Sequence, residues 1–204
     1  MFHRTHKCHR RIFYCFERTV TMIIKDNFLN AEQLTKINQL IQNDITQHGG
    51  RFERYDDEVD HHETDDCSLF YLNHETKDFF FGLLVEQGYF TKELLTGHDH
   101  TLRYHEMKYP YVSTWHKDRF LPWDKQDIDY VGVTFFLNDT WEFQDGGLFL
   151  FKQDNADKGE YLEPIGNRIV INNEDLYHAV TKIVTPDVKR RSLQSFMHVK
   201  YLNI

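Results

Sequence analysis

The chain from Leu102 onward is a succession of short segments rich in Val, Ile, Phe and Tyr, and turn residues end each segment. Segments of this length and composition are typical of β-strands. The predicted strands lie near residues 102–109, 112–117, 130–137, 147–152, 160–163, 167–172, 177–184 and 190–201. Such a series favours a double-sheet jelly roll, because two packed sheets bury the apolar side of every strand.

Two helices are predicted before these strands. Asn30 is a predicted N-cap with Gln33 in the capping-box position, and apolar residues within 34–45 recur on one helical face. The glycine pair at 49–50 is expected to end this helix, and a second helix is expected near 76–87. We therefore predict an α+β, mainly β fold: a jelly roll with N-terminal supporting helices.

The length of 204 residues fits one domain with a substantial core. The net charge of −8 makes the chain a poor electrostatic match for nucleic acid. No apolar run approaches the roughly 20 residues of a membrane span. The three cysteines form no disulfide framework, which favours a reducing compartment, so we expect a cytoplasmic protein without membrane or nucleic-acid partners.

Residues 1–21 differ from the rest because they are basic, with Glu17 as the single acid. We expect a disordered extension, or a segment that precedes a true start at Met22. A transit peptide is an alternative, since the stretch is basic and poor in acids. The predicted organisation is a basic extension at 1–21 and a single domain at 22–204.

A His-x-Asp motif is formed by His116 and Asp118. In an extended segment, residues two apart point to the same face, so the imidazole and the carboxylate converge. His178 comes much later, where a neighbouring strand can bring it back as a third ligand. Two histidines and one carboxylate leave one side of a metal open, which suits Fe(II) that must bind a co-substrate and dioxygen.

Arg190 and Ser192 have the same strand parity, so both side chains are predicted to face the barrel interior while Arg191 faces away. A guanidinium near the metal can bind a carboxylate through two parallel hydrogen bonds. Arg191 remains an alternative, because a β-bulge would exchange the two arginines.

The ordered set of His-x-Asp, a later His and Arg-x-Ser resembles the Fe(II)/2-oxoglutarate-dependent dioxygenases, in particular their prolyl 4-hydroxylase-like branch. The resemblance runs from about Met22 to the end of the chain. The supporting motifs are Met107-Lys108-Tyr109, Val133 to Asp139 with Trp141, the turn Gly146-Gly147-Leu148, Asn167 to Val170 after Pro164, and His178-Ala179-Val180.

The resemblance implies a double-stranded β-helix and an oxidoreductase that hydroxylates a C–H bond, with release of succinate and CO2. It implies Fe(II), 2-oxoglutarate as co-substrate and O2, and ascorbate dependence is typical of the family. His116, Asp118 and His178 would be the catalytic metal ligands, and their carboxylate favours oxygen insertion over halogenation.

The resemblance also implies which residues bind 2-oxoglutarate. Arg190 would bind the far carboxylate, with the Ser192 hydroxyl assisting. Tyr109 occupies the place of a tyrosine that donates to 2-oxoglutarate in relatives, and Tyr104 and Tyr111 are alternatives.

The resemblance makes a prolyl residue of a protein or peptide the first candidate substrate. A free amino acid or another small metabolite is the alternative, and a non-catalytic jelly-roll metal-binding module is the alternative of another class. Nucleic-acid demethylation is disfavoured, because Phe196 stands where such relatives carry a second arginine. The predicted specificity loops are 53–66, whose acidity hints at a basic partner, and 119–129.

Two further groups have ligand-type residues, His61-His62-Glu63 and His98-Asp99-His100. Neither has a downstream partner in a matching pattern, so we interpret both as solvated loop residues.

Overall fold

A computed structural model describes most of the chain. The described residues are 11–13 (backbone only), 22–47, 66–97, 100–118, 130–153, 156–173 and 176–203. The predicted specificity loops 53–66 and 119–129 lie outside them, except for Asp66, as do the glycine pair at 49–50 and the motif His61-His62-Glu63.

Eleven strands and two α-helices make up the described part of the chain. The helices are α1, Ala31–Gln47, and α2, His74–Glu86. The first six strands are β1 Arg11–Phe13, β2 Met22–Asp26, β3 Cys67–Tyr71, β4 Arg103–Lys108, β5 Ser113–His116 and β6 Tyr130–Phe136. The others are β7 Phe149–Lys152, β8 Glu160–Leu162, β9 Arg168–Asn173, β10 Tyr177–Val180 and β11 Lys189–His198.

Helix α1 begins where the capping box predicts. The Gln33 backbone N–H donates to Asn30 Oδ1 at 2.9 Å, and the Asn30 N–H donates to Gln33 Oε1 at 3.1 Å. This reciprocal pair satisfies two amides that the first helical turn leaves without partners. Ile37 and Ile41, one turn apart, are buried against the sheet side of the helix.

Helix α2 is joined to α1 by a buried carboxylate. Asn73 caps α2 by accepting from the Thr76 backbone N–H at 3.0 Å. Asp44 of α1 accepts from the Asn73 backbone N–H at 3.1 Å and from the Thr76 hydroxyl at 2.8 Å. Asn73 Nδ2 is a third donor to Asp44, so this buried acid fixes the two helices relative to each other.

The strands form two sheets. The larger sheet has the order β1-β2-β9-β6-β11-β4-β3, and the smaller has the order β5-β10-β7-β8. Every strand pairing in the described part of the chain is antiparallel. This is the predicted jelly roll with N-terminal helices, so the expected α+β, mainly β fold is confirmed.

Neighbouring residues of β6 contribute to two separate cores. Phe135 packs among helix residues such as Phe80, whereas Phe136 packs with Phe149 and Phe151 of the smaller sheet. The alternation follows from the two-residue period of a strand. The larger sheet therefore carries the helices on one face, and its other face forms the barrel interior with the smaller sheet.

The structure differs from the sequence prediction at several edges. Strand β3 was not predicted, because Cys67–Tyr71 follows a polar stretch, yet it pairs with β4 at the edge of the larger sheet. Strand β1, within the basic extension, pairs with β2. The boundary between residues 21 and 22 stays a prediction. Neither helix among the described residues is long and apolar enough to cross a bilayer.

Candidate active site

His116, Asp118 and His178 converge at one end of the smaller sheet. His116 of β5 and His178 of β10 are directly paired across the two strands, and their ring centroids lie 4.3 Å apart. The carboxylate of Asp118, just past the end of β5, lies 3.6 Å from His116 Nε2 and 3.3 Å from His178 Nε2. One ligand atom from each residue falls within 4.8 Å of the others.

Backbone carbonyls orient both imidazoles. The Nδ1 atom of His178 lies 2.8 Å from the Leu176 carbonyl oxygen, and that of His116 lies 2.7 Å from the Thr114 carbonyl oxygen. A carbonyl can only accept, so each Nδ1 carries the proton and donates it. When the ring is neutral, Nε2 is left with a lone pair that faces Asp118. Histidines that bind metals are commonly held by a hydrogen bond of this kind from the other ring nitrogen.

The electrostatics of this group favour a cation. Burial lowers the pKa of His178, which favours the neutral ring. Two nitrogen lone pairs directed at a carboxylate repel it unless a positive charge lies between them. Two imidazoles and a carboxylate with an open side fit Fe(II). Within the described ranges no second group of three such side chains comes together in this way.

Arg190 is buried on the inner face of the larger sheet. It is 1% exposed, its Nε donates to the Gly147 carbonyl oxygen at 3.0 Å, and its Nη1 lies 3.3 Å from Met107 Sδ. Its guanidinium carbon lies 5.0 Å from the centroid of the Phe136 ring. No carboxylate of the described residues forms an ion pair with it. A buried charge without a counter-ion is costly, so the arrangement calls for an anionic ligand.

The parity prediction for the two arginines agrees with the structure. Arg190 and Ser192 are buried in the barrel interior, whereas Arg191 faces outward, with Nη2 lying 3.2 Å from a carboxylate oxygen of Asp139. Burial lowers the pKa of Arg190 to about 10, so it still carries its charge at neutral pH. Among the described residues, the Ser192 hydroxyl has no hydrogen-bond partner. The roles of Arg190 and Ser192 stay predictions, but their placement favours Arg190 over Arg191.

The three candidate tyrosines have different environments. Tyr109 is 44% exposed, with the Lys182 ammonium 5.4 Å from its ring centroid. Tyr104 is buried in the core beneath the helices, where its hydroxyl donates to Glu106 at 3.3 Å. Burial raises the pKa of Tyr111 to about 12, with Arg190 among the charges that act on it.

This placement argues against Tyr109 and favours Tyr111 as the tyrosine of the site. Tyr111 is half-buried, and the charges of Arg190 and Asp118 are among those that act on its pKa, whereas Tyr109 is exposed. The sequence leaves the choice open, because the backbone turns at Tyr109-Pro110, between the two tyrosines.

A glycine turn lets the smaller sheet reach Arg190. Gly147 has a φ of +59°, and a Cβ built on it would lie 2.8 Å from the Trp141 ring and 3.4 Å from Arg190 Cδ. Any larger residue would disturb the carbonyl that accepts from the arginine. Arg168, by contrast, already has a carboxylate partner, Asp26, where β2 ends and β9 begins.

Two histidines have unexpected positions. His100, interpreted above as solvated, is 3% exposed and packs near Phe81 and Tyr201, because the segment before β4 runs beneath the helices. His105 was not singled out in the sequence, yet both of its ring nitrogens are buried, on the same face of β4 as Met107. Strand parity could have placed it on the Met107 face, but only the register of β4 with β11 brings it opposite Ser192.

Residues 100–198 match the family model described as the 2OG-Fe(II) oxygenase superfamily. The match covers both histidines, Asp118, Arg190 and Ser192. The chain contains a domain of the 2OG-Fe(II) oxygenase superfamily. This oxygenase is therefore an oxidoreductase of the dioxygenase class, and the family implies Fe(II), 2-oxoglutarate and O2.

Solved structures show the same fold at low sequence identity. A prolyl hydroxylase from Trichoplax adhaerens, in complex with a peptide fragment of the hypoxia-inducible factor oxygen degradation domain, has a TM-score of 0.65 and 18% identity, over 89% of this chain and 83% of that one. A prolyl-4-hydroxylase from Pseudomonas putida has a TM-score of 0.59 and 14% identity, over 87% and 91%. The collagen prolyl hydroxylase of Paramecium bursaria Chlorella virus 1, in a 2OG complex, has a TM-score of 0.54 and 12% identity, over 87% of this chain and 94% of that one. No curated protein sequence matches the oxygenase.

Proposed function

We propose that this oxygenase hydroxylates a prolyl residue of a protein or peptide, with 2-oxoglutarate as co-substrate. The observation that carries the proposal is that the barrel contains one group of side chains suited to a cation and another suited to an anion. Three possible ligand atoms converge on a place for a cation, and the buried guanidinium of Arg190 has no counter-ion among the described residues. An oxo acid with a carboxylate at each end satisfies both.

His116, Asp118 and His178 are the proposed Fe(II) ligands. When bound, Fe(II) supplies the redox chemistry that couples O2 reduction and the decarboxylation of 2-oxoglutarate to hydroxylation of a C–H bond. The Thr114 and Leu176 carbonyls hold the imidazoles so that both Nε2 atoms face the metal position. Because these three residues occupy one side, the opposite side stays open for the co-substrate.

Arg190 is the proposed anchor for the far carboxylate of 2-oxoglutarate. The Gly147 carbonyl and the Phe136 ring fix the guanidinium, so little of its freedom remains to be lost on binding. Ser192 supplies a hydroxyl donor, and Tyr111 takes the role predicted for Tyr109. These groups hold the oxo acid in one orientation while the rest of the barrel excludes water.

The substrate assignment rests on the structural relatives. The Trichoplax adhaerens protein was solved with a peptide, and the two other relatives described above are also prolyl hydroxylases. The predicted specificity loops 53–66 and 119–129 lie on either side of the His-x-Asp segment in sequence. The acidity of the first loop favours a basic peptide. Ascorbate, which keeps iron reduced, is the proposed accessory reductant.

The test measures turnover and product together. Purified oxygenase with Fe(II), ascorbate and 2-oxoglutarate is incubated with proline-containing peptides and, separately, with a pool of amino acids and metabolites. Succinate is quantified, and mass spectrometry detects products heavier by one oxygen atom. Hydroxylated peptide that is absent with His116→Ala supports the proposal. Hydroxylation of a metabolite alone would replace the substrate, and no iron binding or succinate would indicate a non-catalytic module.

We also propose that residues 22–204 form the catalytic domain without residues 1–21. Strand β1 adds three residues at the edge of the larger sheet, far in sheet order from β4 and β11. A chain that begins at Met22 should keep its 2-oxoglutarate turnover and lose only a little thermal stability. Loss of turnover in a folded truncated chain would contradict this boundary.

A further inference from the structure

His105 lies inside the barrel beside Ser192. In the antiparallel pairing of β4 and β11, His105 is directly opposite Ser192, and Met107 is opposite Arg190. Side chains of directly opposed residues share one face of the sheet, with Cβ atoms about 4.5–5.5 Å apart. His105, Ser192, Met107 and Arg190 therefore form one small patch on the inner face of the larger sheet.

The polar atoms of His105 and Ser192 are buried without partners. Three polar atoms are involved: the two ring nitrogens of His105 and the Ser192 hydroxyl oxygen. None of them makes a hydrogen bond to any group in the described structure, and solvent reaches none of them. A neutral imidazole offers one donor and one acceptor, and a hydroxyl offers one donor. Because buried polar groups in proteins are nearly always paired, two such residues side by side call for an explanation.

The charges around His105 indicate an anion as the missing partner. Burial, with Arg103 and Arg190 adding to it, lowers the pKa of His105 to about 3, so the ring is neutral. Arg190 has no ion pair with any carboxylate in the part of the chain that is described. A neutral N–H donor and a hydroxyl beside a guanidinium match the oxygens of a carboxylate.

Met107, on the same face of β4 as His105, is the side chain that contacts the Arg190 guanidinium in the structure. Its sulfur accepts from Arg190 Nη1 at 3.3 Å, and a thioether is a weak acceptor. Methionine is also flexible, so a small change of its rotamers would admit a carboxylate oxygen between Arg190 and His105. The contact between Met107 and Arg190 is therefore weak, and a carboxylate could replace it.

We propose that His105 is a co-substrate-binding residue: with Ser192 it donates to the carboxylate that Arg190 binds, and it thereby selects a dicarboxylic oxo acid over a monocarboxylic one. This inference rests on the proposed use of 2-oxoglutarate. It adds a donor from β4 to the arginine and serine of β11, so the far carboxylate is held from two strands.

The test compares two ligands of equal chain length in two variants. Isothermal titration calorimetry, without oxygen and with Fe(II) bound, gives the affinities for 2-oxoglutarate and for 2-oxopentanoate, which lacks the far carboxylate. His105→Phe keeps a ring and removes both nitrogens, whereas His105→Gln keeps an N–H donor. We expect His105→Phe to weaken 2-oxoglutarate binding by roughly tenfold or more and leave 2-oxopentanoate unchanged. His105→Gln should recover part of the loss.

Thermal unfolding of the ligand-free variants separates binding from structure. Because His105→Phe removes two unpartnered buried nitrogens, its Tm should be unchanged or higher. A lower Tm with equal weakening of both ligands, an unchanged 2-oxoglutarate affinity, or equal losses in the Phe and Gln variants would overturn the inference. If His105→Phe does not fold, His105→Leu is measured in the same way. Wild type that binds no 2-oxoglutarate would instead refute the proposed function.

Discussion

The two walls of the barrel present their polar groups in opposite ways. On the smaller sheet, His116 and His178 are fixed by backbone carbonyls and direct two lone pairs at Asp118. On the larger sheet, Arg190 has no ion pair and Ser192 has no hydrogen-bond partner in the described structure. We propose that His116, Asp118 and His178 (the cation wall) receive a metal ion, and that Arg190 and Ser192 (the anion wall) receive a carboxylate. Each group therefore has a ligand that would complete it. One molecule of 2-oxoglutarate can connect the two, because its oxo-acid end would bind the iron and its far carboxylate would bind Arg190.

The largest effect is expected from breaking the cation wall. Asp118→Ala removes the only carboxylate of the proposed metal site, so we expect Fe(II) binding and succinate formation to fall below detection. Asp139→Ala is the matched control, because that carboxylate lies on the surface beside Arg191. Metal content and succinate are measured for both variants. Equal iron binding in Asp118→Ala and wild type would show that the carboxylate is not a ligand.

The anion wall is tested next by comparing two adjacent arginines. Arg190→Ala removes a buried charged donor, a change of about 2–5 kcal/mol, so 2-oxoglutarate should bind weaker by on the order of 100-fold or more. Arg191→Ala removes an exposed ion pair worth about 0–1 kcal/mol and should leave the affinity nearly unchanged. Titration calorimetry measures both. The reverse order would move the anchor to Arg191.

A smaller effect on 2-oxoglutarate binding is expected from the candidate tyrosine Tyr111. Tyr111→Phe removes a hydroxyl whose pKa responds to the charges of Arg190 and Asp118, and a hydrogen bond to a charged group contributes about 1.5–3 kcal/mol. The Michaelis constant for 2-oxoglutarate should rise by roughly tenfold or more. Tyr109→Phe, at an exposed position, should not change it. A rise in Tyr109→Phe alone would restore the tyrosine predicted from the sequence.

The smallest effect concerns stability at the turn that links the walls. Gly147→Ala places a Cβ against Trp141 at a positive φ, which should lower the free energy of unfolding by about 1–3 kcal/mol and weaken 2-oxoglutarate binding by shifting Arg190. Gly82→Ala is the control, because nothing lies within 4 Å of its Cβ position in α2, and it should be neutral or stabilising. Equal unfolding curves for both variants would show that the turn tolerates a side chain.

The sequence predicted the parts of the site that follow from strand periodicity. The convergence of His116 with Asp118 and the burial of Arg190 with Ser192 depend on side-chain alternation, which is a local property. Tyr111 was not preferred over Tyr109, because the choice depends on the geometry of a turn. His105 was missed because its importance comes from the register of β4 with β11, and a pairing between distant segments cannot be read from one sequence.

The most direct test of the account is the binding of 2-oxoglutarate with and without iron. Titration calorimetry without oxygen should give one 2-oxoglutarate per chain with Fe(II) bound. Binding should weaken strongly after chelation of the metal, and also with the metal present in Arg190→Ala, because the oxo acid needs both walls. Binding that is equally strong after chelation, or equally strong in Arg190→Ala, would contradict the claim that one molecule joins the cation wall to the anion wall.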